Sequence, residues 1–80
     1  MQKQSKSLQE MQDGESATVV SVSSQKQSVQ KLHQLGIRAG VDIQVLRRAP
    51  LNGPLLVKVS GREIAIGYEL STKILVGVDH

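Results

Sequence analysis

Short stretches of alternating or β-branched apolar residues recur along the 80-residue chain and predict β-strands. Valine and isoleucine dominate these stretches, and both favour strands because their branched side chains pack well on a pleated surface. The stretches are residues 17–23, 41–45, 57–60, 64–66 and 74–78. The sequence therefore predicts about five short strands.

One further stretch follows the helical period. Val29, Leu32 and Leu35 recur at every third position, which indicates a narrow apolar stripe along one face of a helix. Gly36 fits the left-handed position that commonly follows the last turn of a helix. With Gly36 in that position, Leu32 and Ile37 are the two residues expected to make the apolar contact of a Schellman motif.

The start of this helix has two candidate caps. Ser24 is suited to the N-cap position, where Gln27 would complete a capping box. Ser28 is the alternative, one turn later. Both serines can accept a hydrogen bond from a free backbone N–H of the first helical turn.

Single helical turns and tight turns are expected to join the remaining elements. Leu8 and Met11, three residues apart, suit one helical turn that packs against an edge of the domain. Residues 68–73 can form another. A short hairpin is predicted at residues 60–61 or 61–62, between two strands.

These elements predict an all-β fold, a small SH3-like β-barrel of about five strands with one inserted α-helix and short helical turns at its edges. An OB-like barrel is the alternative. Residues 1–7 are polar and are expected to form a disordered leader, whereas residues 8–80 form the domain. The expected core is Val20, Val22, Leu32, Leu35, Val41, Ile43, Val45, Val57, Val59, Ile64, Ile66, Ile74 and Val76.

Composition excludes several classes of protein. The chain has no cysteine, which excludes disulfides, thiolate nucleophiles and zinc ribbons. Its formal charge of +3 is scattered, and Tyr68 is the single aromatic residue, so the basic stripe and stacking platforms of a nucleic-acid-binding barrel are not evident. No apolar run approaches the ~20 residues of a membrane span, and we expect a cytoplasmic protein.

Candidate catalytic and metal-binding residues are few. His33 has no second ligand at helical spacing, and Asp79 with His80 at the end of the chain can bind a divalent metal weakly. Asp13, Glu15 and Glu69 would form an acidic site only if the two ends of the domain met. No nucleophile motif is present, so no enzymatic activity and no cofactor are expected, and any metal ligands stay unassigned.

The arrangement of glycines, prolines and aliphatic residues resembles the ferrous iron transport protein A family, FeoA. The resemblance covers roughly residues 8–78. Its most specific parts are Leu35-Gly36-Ile37 with Gly40, followed by Ala49-Pro50 and Gly53-Pro54. Two residues depart from the family pattern. Gly67 stands where a larger or charged residue is usual, and Ser71 stands where a small apolar residue is usual.

This resemblance implies an SH3-like barrel and a cytoplasmic partner of FeoB, a membrane iron permease with a cytoplasmic G domain. The same barrel is similar to the C-terminal domain of metal-dependent repressors of the diphtheria toxin repressor type. The resemblance therefore favours a protein-interaction module of ferrous iron uptake. The alternatives are a regulatory barrel that binds a divalent metal and a small nucleic-acid-binding barrel.

The expected partner-binding surface joins the end of the helix to the proline loop at residues 50–54. Leu51 lies between turn-forming residues and is hard to bury locally, so it should supply most of the contact. Ile37 is the second apolar candidate, and Arg38 and Arg47 would flank both and favour an acidic partner. We expect these four residues to bind the permease.

Overall fold

The computed structural model of this chain describes residues 3–22 and 25–79, which form six strands, two α-helices and one 3₁₀ turn. The strands are β1 (Lys3–Ser7), β2 (Ser16–Val22), β3 (Asp42–Arg48), β4 (Leu55–Val59), β5 (Arg62–Ile66) and β6 (Ile74–Asp79). The helices are α1 (Lys26–Gln34) and α2 (Tyr68–Ser71), and the 3₁₀ turn is Leu8–Glu10. The strands form one antiparallel sheet in the order β1-β6-β2-β3-β4-β5. The predicted all-β fold is confirmed.

The prediction of a disordered leader is wrong for residues 3–7, which form β1. This strand pairs with β6 from Lys3↔Asp79 to Ser7↔Leu75. The polar composition of β1 does not indicate a strand, because an edge strand is held by backbone hydrogen bonds and lysines are common on exposed edges. Residues 1 and 2 lie outside the described part of the chain. With β1, the described chain has six strands where about five are predicted.

Helix α1 begins at Lys26, with Gln25 at the N-cap position. The predicted N-cap at Ser24 is wrong by one position, because Gln25 is the N-cap; Ser24 itself lies outside the described residues. The alternative start at Ser28 is wrong, because Ser28 is the third residue of the helix. In the described chain, no helix has the length and apolar character needed to cross a membrane.

The predicted end of α1 is confirmed. Gly36 has φ +87°, a conformation that residues with a Cβ rarely adopt. The Ile37 N–H donates to the Leu32 carbonyl at 2.9 Å, and the Gly36 N–H donates to the His33 carbonyl at 3.0 Å. These are the two hydrogen bonds of a Schellman motif. Leu32 and Ile37 are both completely buried.

The prediction that Val20 belongs to the core is wrong. A β-bulge interrupts the pairing of β2 with β6 between Val19 and Ser21, and it shifts the alternation of side chains by one residue. Val19 is therefore buried and Val20 is 46% exposed. Val22 lies beyond the bulge and is partly buried against the core.

The rest of the core follows the predicted pattern. Most of the expected residues are fully buried, and four are partly buried and pack against them: Val22, Leu35, Val41 and Ile64. The expected core omits six buried residues: Leu8, Met11, Val19, Ile37, Leu55 and Val78. Ser71 is also buried, and its hydroxyl donates to the Tyr68 carbonyl at 2.6 Å. A serine thus replaces the usual small apolar residue without leaving a buried polar atom unpaired.

Candidate protein interface

The loop between β3 and β4 is a tight turn held by two backbone hydrogen bonds. The Gly53 N–H donates to the Pro50 carbonyl at 3.1 Å, and the Ala49 N–H donates to the Pro54 carbonyl at 3.0 Å. The two central residues, Leu51 and Asn52, have φ of 58° and 56°. Positive φ at both central positions is the signature of a type I′ turn, which matches the twist of the strands it joins.

Leu51 stands at the tip of this turn and is 98% exposed. The predicted exposure of this residue is therefore confirmed. A leucine in the left-handed conformation is unusual, because its Cβ crowds the backbone at a cost of roughly 1–2 kcal/mol. Asparagine or glycine would suit the turn better. The fold therefore gains nothing from an apolar side chain at this position.

A shallow apolar groove lies beside the turn, on the outer face of the sheet. The strand register pairs Arg47 with Leu56 and Leu56 with Ala65, so these three residues lie side by side across β3, β4 and β5. Pro50 and Pro54 close the groove at the turn. The groove thus reaches Pro50, the residue before Leu51, whereas Leu51 itself lines a separate hollow on the side of Gln9 and Ser71.

The two neighbouring arginines have different roles. The Arg48 guanidinium donates to the Gln9 carbonyl at 2.6 Å and also to the Met11 carbonyl, so it fastens the 3₁₀ turn to the end of β3. Arg47 is exposed, and within the described chain it makes no hydrogen bond or ion pair through its side chain. Arg47 is therefore the cation that is available to a partner.

Ile37 does not belong to this surface, and its assignment as a partner contact is wrong. Its side chain is completely buried because it packs on Leu32 in the Schellman motif. The same contact that makes the helix end predictable from sequence removes this isoleucine from the protein surface.

Arg38 is exposed, but the expectation that it flanks Leu51 is also wrong. Its carbonyl accepts from the Val41 N–H at 3.2 Å, which places it at the start of β3. Leu51 follows the opposite end of this strand, and seven extended residues span roughly 20 Å. The helix end and the proline loop therefore form separate surfaces.

The predicted metal-binding and acidic residues do not converge. Among the side chains that the structure describes, no three His, Cys, Asp or Glu residues lie close enough together to hold a metal ion. His33 is exposed on α1, and Glu15 pairs with Lys6 at 3.1 Å. The side chain of Asp79 and all of His80 lie outside the described residues, so a weak site there stays a prediction.

Comparison with known proteins identifies the family. The model of the FeoA domain matches residues 6–78. A putative Fe(2+) transport protein A from Methanocaldococcus jannaschii is 34% identical over 64 residues, which are 80% of this chain and 76% of the relative. The crystal structure of an iron uptake regulatory protein, FeoA, has a TM-score of 0.86 at 33% identity and covers 94% of this chain and 100% of its own.

Two further structures define the fold. FeoA of Stenotrophomonas maltophilia, a prokaryotic SH3 domain protein complexed with zinc, has a TM-score of 0.75 at 26% identity, over 88% of this chain and 87% of its own. A manganese-dependent transcriptional repressor shares the fold with a TM-score of 0.85 at 22% identity, over 95% of this chain and 42% of the repressor. The predicted SH3-like architecture is confirmed. Because the FeoA domain spans nearly all of the sequence, this chain belongs to the FeoA family.

Proposed function

We propose that this chain is an accessory protein of ferrous iron uptake that binds the cytoplasmic part of a FeoB-type iron permease. Membership of the FeoA family supports the link to iron uptake, and the relative from Methanocaldococcus jannaschii carries the name of an Fe(2+) transport protein. The chain acts from the cytoplasm as a protein-interaction module, and the proposal assigns it no catalytic step and no cofactor.

The observation that carries this proposal is the exposure of Leu51. An aliphatic side chain that is 98% exposed on a tight, hydrogen-bonded turn is already held in one orientation. A partner that binds it loses little conformational entropy in the turn, which favours affinity. The groove at Leu56 and Ala65 reaches Pro50, so a partner seated on Leu51 would extend its apolar contact into the groove across Pro50.

Arg47 determines the charge of the expected partner. Its guanidinium lies at the rim of the groove without an ion-pair partner among the described residues. A carboxylate on the permease would complement it, and a pair at the rim of an interface is weakened by salt. Association is therefore expected to weaken as the ionic strength rises.

The experiment compares two variants of the same turn in a pulldown with the purified permease. Leu51→Asp places a charge at the centre of the proposed contact and should abolish binding. Asn52→Asp adds the same charge one residue away and should retain most of the binding to the permease. Both side chains are exposed, so neither variant should lose more than about 0.5 kcal/mol of stability relative to the parent.

Two results would contradict the proposal. Equal binding by Leu51→Asp and the parent chain would place the interface elsewhere on the barrel. Failure of the parent chain itself to bind the permease at micromolar concentration would reject the permease as the partner.

A further inference from the structure

Strand β5 lies at the end of the sheet, with a neighbour on one side only. It pairs with β4 from Leu55↔Ile66 to Val59↔Arg62, and in the described chain its other edge is not paired with a strand. A free edge presents backbone N–H and C=O groups to solvent. Only every second residue of β5 can present them, because the others bond to β4.

The turn that joins β4 to β5 determines which residues these are. Ser60 and Gly61 have φ of 52° and 79°, as in a two-residue type I′ hairpin, so Val59 and Arg62 exchange hydrogen bonds. Bonded and non-bonded pairs alternate along an antiparallel ladder. Glu63 and Ala65 are therefore in non-bonded pairs, and their N–H and C=O groups point to the free edge.

The neighbouring pair of strands supports this alternation independently. The same parity makes Val45↔Val57 a non-bonded pair, so the backbone of Val45 must turn away from β4. The Val45 N–H indeed donates to the Glu15 carbonyl at 2.9 Å, and the Val45 carbonyl accepts from the Gly14 N–H at 2.7 Å. The hydrogen bonds between Val45 and residues 14 and 15 thus support the outward direction of the Glu63 and Ala65 backbone groups in β5.

The second half of this edge is open and lacks the charged residues that usually protect an edge strand. Glu63 and Ala65 are both exposed, and no other described segment donates to or accepts from their backbone. The strand at the opposite edge of the sheet, β1, has the lysine-containing sequence KQSKS, and lysine on an edge discourages pairing. The second half of β5 is Ile64-Ala65-Ile66 and has no such device.

The side chains of β5 specify what kind of segment the edge fits. Glu63 is opposite Lys58 in the register, but in the described chain it forms no ion pair. A basic residue next to Glu63 would be complementary to it. Ala65 is small and lies next to Leu56, so a large apolar side chain beside Ala65 could reach the groove.

We propose that β5 accepts an extended segment of a partner protein as an additional antiparallel strand. In that orientation the residue beside Ala65 comes first and the residue beside Glu63 comes two positions later. The partner segment therefore carries a large apolar residue followed two positions later by lysine or arginine. This mode of recognition combines backbone hydrogen bonds with side-chain selection.

A second copy of this chain fits the edge less well. Antiparallel pairing of two β5 strands through Glu63 and Ala65 places Glu63 opposite Glu63, Ala65 or Gly67 of the other copy. None of these registers supplies a cation to Glu63, and one of them opposes two carboxylates. Charge complementarity therefore favours a partner segment with a basic residue.

This inference rests on the proposed interaction function and specifies how the partner is bound. The first measurement is amide hydrogen exchange on the full chain, free and bound to the purified permease. In the free chain, Ile64 and Ile66 should exchange slowly because they bond to β4, whereas Glu63 and Ala65 should exchange fast. Binding should slow Glu63 and Ala65 by at least about tenfold. Fast exchange of both amides in a permease complex would overturn the proposal and leave the proposed function standing.

The second measurement uses a synthetic peptide, Thr-Val-Thr-Leu-Thr-Lys-Thr, with an N-methylated copy as its control. The peptide should shift the amide signals of Glu63 and Ala65, and the N-methylated copy should not. Ala65→Pro removes one outward N–H without touching a bond to β4 and should weaken binding about tenfold, whereas Ala65→Ser should not. If Ala65→Pro does not fold, the N-methylated peptide still makes the comparison.

The outcomes separate the two proposals. If the parent chain does not bind the permease but the peptide shifts Glu63 and Ala65, the proposed function fails and the strand-accepting edge stands. If the peptide at millimolar concentration leaves both amides unchanged, the edge proposal fails. Protection of Glu63 and Ala65 that grows with the concentration of the free chain would indicate self-association and would also overturn it.

Discussion

Gly36 and Leu51 show how far a single residue can be interpreted from sequence. Gly36 is predictable as the end of α1 because glycine favours the left-handed conformation and apolar residues flank it at the right spacing. The left-handed conformation of Leu51 is not predictable, because leucine disfavours it. The exposure of Leu51 is predictable, since a leucine between turn-forming residues has nothing to pack against. Strain at an exposed residue is typical of functional positions.

Leu51→Asn should therefore stabilise the protein and weaken its association with the permease. Asparagine tolerates positive φ, so relief of the strain should raise the free energy of unfolding by about 0.5–1 kcal/mol. The loss of the aliphatic side chain should lower the affinity. Urea denaturation and a pulldown on the same sample measure the two effects. A variant that is less stable than the parent would show that the turn is not strained.

At the scale of the elements, alternation is a reliable guide except where the strand pairing is irregular. Strands β4 and β5 follow the expected pattern, and β3 follows it up to Val45, beyond which a second irregularity shifts its register against β4 before Arg47. In β2, residues 16–22 contain no glycine or proline to mark the bulge, so the change of parity beyond Val19 cannot be predicted. β1 escapes prediction because a polar edge strand carries no hydrophobic signal.

The 3₁₀ turn after β1 should be sensitive to acid through one carboxylate. The Ser7 N–H donates to Glu10 Oε1 at 2.8 Å, and this hydrogen bond lowers the pKa of the Glu10 carboxyl below its usual value. A lowered pKa in the folded state means that the contact stabilises the protein above the unfolded pKa. The stabilisation is lost as the pH falls through the folded pKa.

Glu10→Gln should remove this dependence, because a neutral amide does not titrate. The thermal midpoint of the parent chain should exceed that of Glu10→Gln at pH 7, and the difference should narrow between about pH 5 and pH 3. Glu69→Gln, an exposed carboxylate in α2, is the control for a general effect of charge. A difference that stays constant down to pH 3 would show that the carboxylate does not stabilise the turn.

At the scale of the whole molecule, the barrel is predictable from sequence, but which residues lie together on its surface is not. The order of turns and strands implies the architecture, because few folds fit short strands with tight connections. The predicted interface is wrong at two of its four residues. Ile37 is buried in the core, and Arg38 lies at the end of β3 that is far from Leu51. Which loops share one end of a barrel depends on the strand order, and local patterns do not reveal it.

The two segments before β2 contribute to the barrel in different ways. β1 adds backbone pairs along β6 and one ion pair between Lys6 and Glu15, with the Lys6 side chain only partly buried. The 3₁₀ turn and the residue that ends it insert Leu8 and Met11 into the core, where both are completely buried. The strand protects an edge, whereas the turn completes the core.

Removal of residues 1–7 should therefore leave a folded barrel, and removal of residues 1–11 should unfold it. The shorter truncation loses backbone hydrogen bonds whose net worth is partly offset by the entropy of ordering the strand, so we expect a loss of about 1–2 kcal/mol. The longer truncation also loses two buried side chains worth about 1.5–3 kcal/mol each, most of the stability of so small a domain. Without β1, the free edge of β6 beside Leu75 should promote association that rises with concentration. Urea denaturation and sedimentation of both truncations measure these effects, and an unfolded shorter truncation would show that β1 belongs to the cooperative core.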